Sequence, residues 1–344
     1  MFAAVFGSIE QGIIYAILAL GVYLTFRVLD FPDMTVDGSF VTGAGTAATM
    51  IFFGYHPIVA TLAAVVAGFI AGCITGLLHT KGKINALLAG IIMQIALYSI
   101  NLRIMGLTSE TSVGRPNIPL LNTDTIFSLF QGWWSKLGID TALNDALRAM
   151  GVEFVPQTWG TIFVVIIIAI FIKLIADWFL KTEIGLAIRA TGDNKRMIRS
   201  FSANTDHLVI LGLGISNGLV ALSGALIAQY IKSSDITMGI GMLVVGLASV
   251  IIGEAIFGTK SLVRTTFAVV IGAIIYRIVL GIALRIDFLD TGDVKLITGI
   301  IVVLALIIPQ MVHKRKERKR KEKRRQERLA AMSSVNGQGG NGLA

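Results

Sequence analysis

Nine stretches of this chain are apolar for close to the 20 or so residues that a helix needs to cross the ~30 Å hydrocarbon core of a bilayer. They run about 8–27, 37–54, 57–78, 84–105, 159–180, 208–230, 240–257, 263–284 and 295–312, the second and seventh being short and interrupted by glycine. Composition agrees: 54% of the residues are hydrophobic and 15% charged, against about 25% charged in ordinary soluble domains. A soluble chain of this size has too little charge to cover its apolar surface, and a disordered one carries far fewer apolar residues. The reading is an all-α polytopic membrane protein with about nine transmembrane helices (eight to ten). The 37 glycines fit it, because small residues let membrane helices approach closely. The first run lacks a basic flank and a convincing cleavage site, and is read as a retained helix.

The charge is lopsided. Residues 314–328 hold 11 Lys/Arg and three Glu, so net +8 of the chain's +9 sits in that one stretch. It reads as a juxtamembrane anchor for anionic lipid, not as a nucleic-acid surface. Residues beyond it, rich in Gly, Ser and Asn, read as a flexible end. Lys/Arg bias sets orientation. Segment 181–207 carries Lys181, Arg189, Lys195, Arg196 and Arg199, whereas the longer 106–158 carries only Arg115, Lys136 and Arg148. So 181–207 and the tail lie in the cytoplasm, 106–158 and the N-terminus outside. Within 106–158, residues 125–150 have a helical pattern, and Trp133 and Trp134 suit an interfacial helix.

An internal repeat is visible. LLAGIIMQIALYSI (87–100) aligns with LITGIIVVLALIIP (296–309), and FPDMTVDGS (31–39) with SSDITMGIG (233–241), pairing Asp33 with Asp235 and Thr35 with Thr237. Five crossings separate the copies. Five is odd, so the two four-helix repeats are inverted, and inverted repeats with polar breaks at matching places mark transporters. Pro32 ends one helix, and Asp33 or Thr35 can cap the next. Asp33, Thr35, Asp37, Asp235, Thr237 and Asn217 are the pathway or gate candidates, with helix capping as the plainer role. Gln94, Asn101, Asn217 and Gln229 suit interhelical hydrogen bonds. Arg277 reads as snorkelling to the outer interface, and Glu254 as a structural partner near Lys260.

Segment 181–207 reads as two short helices joined at a Gly192-Asp193-Asn194 corner, with Thr182 capping the first. Its pattern, Thr182, Gly185, Arg189, Ala190, Gly192 and Asn194, resembles the cytoplasmic coupling motif of branched-chain amino-acid-type permeases of bacterial ABC importers, a family that includes ribose permeases. LTFRVLDFPDMTVDGSFVTGAG (24–45), GLGISNGLVALSGALIAQY (212–230) and GIGMLVVGLASVIIGEAIFG (239–258) are similar too. The wording of DMTVDGS and IRATGDN is most similar to a subgroup in which some members are linked to aromatic amino-acid uptake. Ser202 stands where the family often has Gly, and 106–158 is long for the family.

The resemblance implies a type II importer, like that for vitamin B12. Two permease subunits, here a homodimer, enclose a path in the bacterial inner membrane. Separate ATP-binding-cassette subunits receive the coupling residues Thr182, Gly185, Arg189, Ala190, Gly192, Asp193 and Asn194, and an extracytoplasmic solute-binding protein delivers an amino acid or related solute. Residues 1–312 form the permease: repeat one about 8–105, external segment 106–158, linking span 159–180, coupling segment 181–207, repeat two about 208–312. The tail is 313–344. Membrane lipid is the other partner; no nucleic acid, cofactor or metal is expected. The chain itself is read as non-catalytic: GTKS (258–261) lacks the GK pair of a phosphate loop, and HExxH does not occur. The alternative is an ion-coupled secondary transporter using Asp33 and Asp235.

Overall fold

The computed structural model describes residues 2–109, 114–149, 156, 158–200, 203–284 and 296–300, with single positions 303, 307 and 322. The basic tail, Ser202 and most of the expected ninth span lie outside the described residues. The helices are α1 (Phe2–Tyr23, extended by a π turn Leu24–Val28), α2 (Thr35–Phe52), α3 (Pro57–Thr80) and α4 (Ala86–Gly106). After strand β1 (Asn117–Pro119) come α5 (Ile126–Trp134), α6 (Ile139–Ala149), α7 (Gly160–Phe179), α8 (Glu183–Asp193) and α9 (Lys195–Ser200). The last described elements are α10 (Thr205–Ile231), strand β2 (Ser233–Asp235), a 3-10 turn Ile236–Gly239, α11 (Met242–Phe257) and α12 (Leu262–Ala283); residues 296–300 are also helical.

Seven described helical stretches are long and apolar enough to cross a membrane: Val5–Val28, Pro57–Thr80, Ala86–Gly106, Gly160–Phe179, Thr205–Ile231, Ile236–Phe257 and Leu262–Ala283. They match seven of the nine expected spans. The expected second span is the helix α2, which falls outside that apolar set. The reason is its surroundings: α2 is buried along nearly its whole length and packs on α3, α4 and α10. It meets protein, not lipid, so its Thr, Ser and Gly residues carry no solvation penalty in hydrocarbon. The outer faces of α3, α4 and α7 do meet the surroundings; Leu62, Val66, Ile95, Ile167 and Phe171 are all exposed.

The two repeats are related by their packing. α1 packs against α11 and α12, and α10 packs against α2 and α3, while the two lead helices α1 and α10 pack on each other. That exchange is what a two-fold between the halves produces. The lead helices are antiparallel: Ser216 Oγ donates to Gly21 O over 2.7 Å and Ser223 Oγ to Ile14 O over 2.9 Å. The first helices of the two sequence copies therefore run in opposite directions. The α3–α10 seam is made by small residues: a Cβ on Gly68 or Gly72 would lie within 2.3 Å of α10, so only glycine admits this approach.

Residues 125–150, expected as one interfacial helix, form two. Gly138 in the left-handed region (φ 63°) breaks the run after a 3-10 turn. Trp133 is exposed as expected, but Trp134 is buried and its Nε1 donates to Asp140 over 2.7 Å. The all-helical expectation also missed the antiparallel β1–β2 ladder, in which Asn117 faces Asp235.

Candidate functional site

The chain leaves α1 at Val28 and turns back into the bundle. Asp33, fully buried, marks the turn. Its Oδ1 accepts from Thr35 N over 2.9 Å, and its Oδ2 accepts from Asn217 Nδ2 over 2.7 Å. Asn217 is twelve residues into α10, about 18 Å from that helix's start, so α2 begins deep inside the bundle. The Thr35 and Thr75 hydroxyls lie 2.8 Å apart, tying α2 to α3. Thr42 Oγ1 donates to Asn101 Oδ1 over 2.9 Å, and Asn101 Nδ2 donates to Gly38 O over 3.1 Å, tying α2 to α4.

Asp37, one turn further, does not cap its own helix. Its Oδ2 accepts from Gly241 N over 3.0 Å and its Oδ1 from Leu243 N over 2.8 Å. It therefore caps the start of α11, the matching helix of the other repeat. The N-terminal ends of α2 and α11 meet across this one carboxylate, which also sits where both helix dipoles favour negative charge. Beside it lies a cavity of about 440 Å3 lined by Asp37, Gln94, Tyr98, Ser99, Asn101 and Ile240 among others. Asp33 and Asn217 do not line it; Asn217 Oδ1 is buried without a partner among the described residues.

Asp235 and Thr237 repeat the Asp33–Thr35 geometry on the far side. Asp235 Oδ1 accepts from Thr237 N over 2.7 Å, starting the 3-10 turn. Asn117 Nδ2 donates to Asp235 Oδ2 over 3.3 Å, so β1 supports this turn. Burial pushes the Asp235 carboxyl upward, but the bonds from the Thr237 hydroxyl and N–H and from Asn117 outweigh it and hold it below the usual carboxylate range.

At the opposite end of the bundle, Thr182 caps α8: its Oγ1 accepts from Gly185 N over 3.2 Å and donates to Phe179 O over 2.6 Å. Gly185 packs back on the end of α7, where a Cβ would fall 2.1 Å from Phe179 O. Gly192, expected at a corner, is helical. α8 continues through Asp193 because Gly192 lies flat against the π turn, where a Cβ would stand 2.0 Å from Val28 O. The corner is Asn194 alone, whose Oδ1 accepts from Met197 N over 3.1 Å and starts α9. Ala190 and Arg189 are half-buried and Asp193 is exposed. Arg189 borders a second cavity, of about 550 Å3, with Arg27, Glu254 and Lys260.

Glu254, read as structural, pairs with Arg27 of the π turn and joins α11 to α1. One expectation changes. Arg277 does not snorkel outward: its guanidinium carbon stands 4.1 Å over the Tyr15 ring, an inward cation–π contact. The sequence reading also passed over Ile184, Leu186 and Met197. All three are about half exposed on the α8–α9 projection, and no periodic signal singled them out, because Ile184 and Leu186 flank the buried Gly185 on either side. Among the described residues no three metal-ligating side chains converge.

A family profile described as branched-chain amino acid transport system, permease component, matches residues 4–308. A tyrosine transport system permease protein of Clostridioides difficile is 41% identical over 301 residues, covering 88% of this chain and 90% of that protein. The ribose import permease RbsC of Escherichia coli K12 is 23% identical over 273 residues, 78% of this chain and 74% of that one. Among solved structures, a chain of PsaBC from Streptococcus pneumoniae in complex with Fab aligns with a TM-score of 0.49 at 14% identity, over 90% of this chain and 96% of that chain.

Proposed function

This chain belongs to the family of branched-chain amino acid transport system permease components, and from that premise we propose that it is the non-catalytic membrane subunit of an ATP-binding-cassette importer for an aromatic amino acid such as tyrosine. A separate ATPase supplies the energy, and a solute-binding protein delivers cargo to the end of the bundle that carries the β1–β2 ladder. The Lys/Arg distribution supports a cytoplasmic placement of α8, α9 and the C-terminus. A second copy covers the α4 face and closes the cavity beside Asp37 into a path.

The observation that carries this reading is the double character of α8. One side is fitted into the bundle without slack by Gly185, Ile188 and Gly192. The two flanks of that side leave Ile184 and Leu186 uncovered, and α9 adds Met197. An apolar projection beyond the bundle, rigidly keyed to it, suits an ATPase groove. A push on α8 is delivered to the end of α1 through Gly192 and Val28, and to α10 through Ile188 and Gly212. Those two helices are antiparallel partners, and α10 carries the Asn217 that holds Asp33. Relative sliding of α1 and α10 displaces the start of α2, and with it Asp37 and the cavity wall. In this scheme Thr182, Gly185, Arg189, Ala190, Gly192, Asp193 and Asn194 transmit the stroke. Asp33, Thr35 and Asn217 hinge the gate, Asp37 lines it, and Asp235 and Thr237 shape its outer edge.

The test is uptake of radiolabelled tyrosine into proteoliposomes holding the permease, its ATPase and its binding protein. Uptake that requires ATP and survives an uncoupler supports the reading. Uptake by the permease alone that collapses with the uncoupler favours the ion-coupled transporter and sinks this one.

A further inference from the structure

At the end that carries the β ladder, α1, α5, α7 and α10 surround a cavity of about 610 Å3, separate from the one beside Asp37. That volume lies in the range of small-ligand sites. Glu10 of α1 lines it and is only 7% exposed. Its Oε2 accepts from the Tyr230 hydroxyl over 2.8 Å, and no cationic side chain pairs with it among the described residues. A carboxylate this desolvated, facing one neutral donor, has no cation beside it to favour ionisation, and inside a membrane protein such a group marks a site.

Lys232 borders the same cavity. It ends α10 in the left-handed region (φ 54°) and likewise forms no ion pair among the described residues. Phe6 and Phe127 add aromatic rings to the lining, surfaces that attract cations. Two opposite charges therefore face one cavity without meeting each other. A ligand that carries both signs meets the buried Glu10 and the exposed Lys232 together.

We propose that this cavity binds a primary ammonium with an anionic group a few bonds away, the ammonium against Glu10 and the anion toward Lys232. Two sources have that chemistry: the ethanolamine headgroup of a phospholipid and a free amino acid. The inference rests on the cavity and not on the transport reading, and its readout is binding.

The permease–ATPase complex is purified from membranes containing phosphatidylethanolamine and phosphatidylglycerol, and its retained lipids are measured by native mass spectrometry. In parallel, radiolabelled tyrosine binding is measured in nanodiscs of phosphatidylglycerol alone. The variants are Glu10→Gln, which removes the carboxylate, and Thr161→Phe on the α7 wall of the cavity, which fills it and keeps the carboxylate. Phosphatidylethanolamine held about tenfold above its membrane share and falling to that share in both variants establishes the lipid. No such enrichment, with tyrosine bound by the wild type and lost in both variants, establishes the amino acid. Neither ligand held by the wild type, or a ligand held at wild-type level by either folded variant, overturns the proposal. If Glu10→Gln does not assemble with the ATPase, Thr161→Phe decides alone.

Discussion

Gly192→Ala separates a mechanical linkage from a mere surface helix. Alanine is the better helix former by about 1 kcal/mol, so local propensity predicts a small gain. The packing predicts the reverse. The added methyl would lie 2.0 Å from Val28 O, and contacts of this kind become ordinary only at 3.4 Å, so α8 must retreat by 1.4 Å from the end of α1. Overpacking of this sort costs about 1–3 kcal/mol. If that strain falls on the step that opens the path, at about 1.4 kcal/mol per tenfold in rate, uptake drops roughly five- to 150-fold. With the ATPase docked on the exposed flanks of α8, as proposed, its turnover should continue. The assay is tyrosine uptake per ATP hydrolysed in proteoliposomes, with Gly132→Ala as control because an added Cβ there meets nothing within 4 Å. A Gly192→Ala complex with wild-type uptake per ATP refutes transmission through this contact.

Ile184→Asp with Leu186→Asp removes the two exposed apolar side chains of α8; the ATPase should no longer co-purify while the permease still inserts, and undiminished co-purification refutes the docking role. Asp33→Ala and Asn217→Ala each strand a buried polar partner, at about 1–3 kcal/mol apiece. Their double mutant should cost less than the sum by about 0.5–3 kcal/mol in thermal unfolding, and additive losses would show that the 2.7 Å bond is not what they share. Asp235 has its folded-state carboxyl held below its ordinary value of 3.8. The stabilisation from this carboxylate is full above that value and disappears as pH falls through the lower folded one. Asp235→Asn should remove that component of acid sensitivity from the melting curve, and an unchanged acid profile contradicts the assignment.

Long apolar runs gave α1, α3, α4, α7 and α10 to within a few residues, because lipid contact imposes hydropathy on the sequence directly. α2 was legible as a helix but not as an enclosed one: its threonines and glycines record contact with α3, α4 and α10, which a hydropathy reading cannot distinguish from a short span. The Asp33–Thr35 and Asp235–Thr237 pairs were visible as a repeat, and each Asp does accept from the Thr two residues on. What each pair is packed against was not visible, since Asn217 lies 184 residues from Asp33. Gly192 was read as a corner because glycine usually ends helices. Here close approach to Val28, a long-range constraint, selects it instead.

The two copies match in outline but not where α2 and α11 begin. In the alignment that pairs Asp33 with Asp235, Asp37 falls opposite Gly239. A symmetric arrangement would set two carboxylates against each other where both helix starts converge, and like charges at such distances repel strongly. The structure instead has one carboxylate serve the start of α11, while the second copy spends the matching stretch on a 3-10 turn before α11 begins. Gly239 is what lets them meet: a Cβ there would lie 2.2 Å from Asp37 O and 2.5 Å from Val41 Cγ2. Gly239→Ala should therefore push the two helix starts apart and weaken the Asp37 cap, a loss of about 1 kcal/mol or more, without touching α8. Uptake should fall while the ATPase still co-purifies, the inverse of the result for Ile184→Asp with Leu186→Asp. A Gly239→Ala permease that transports normally would mean that the close approach of α2 and the turn before α11 is not part of the gate.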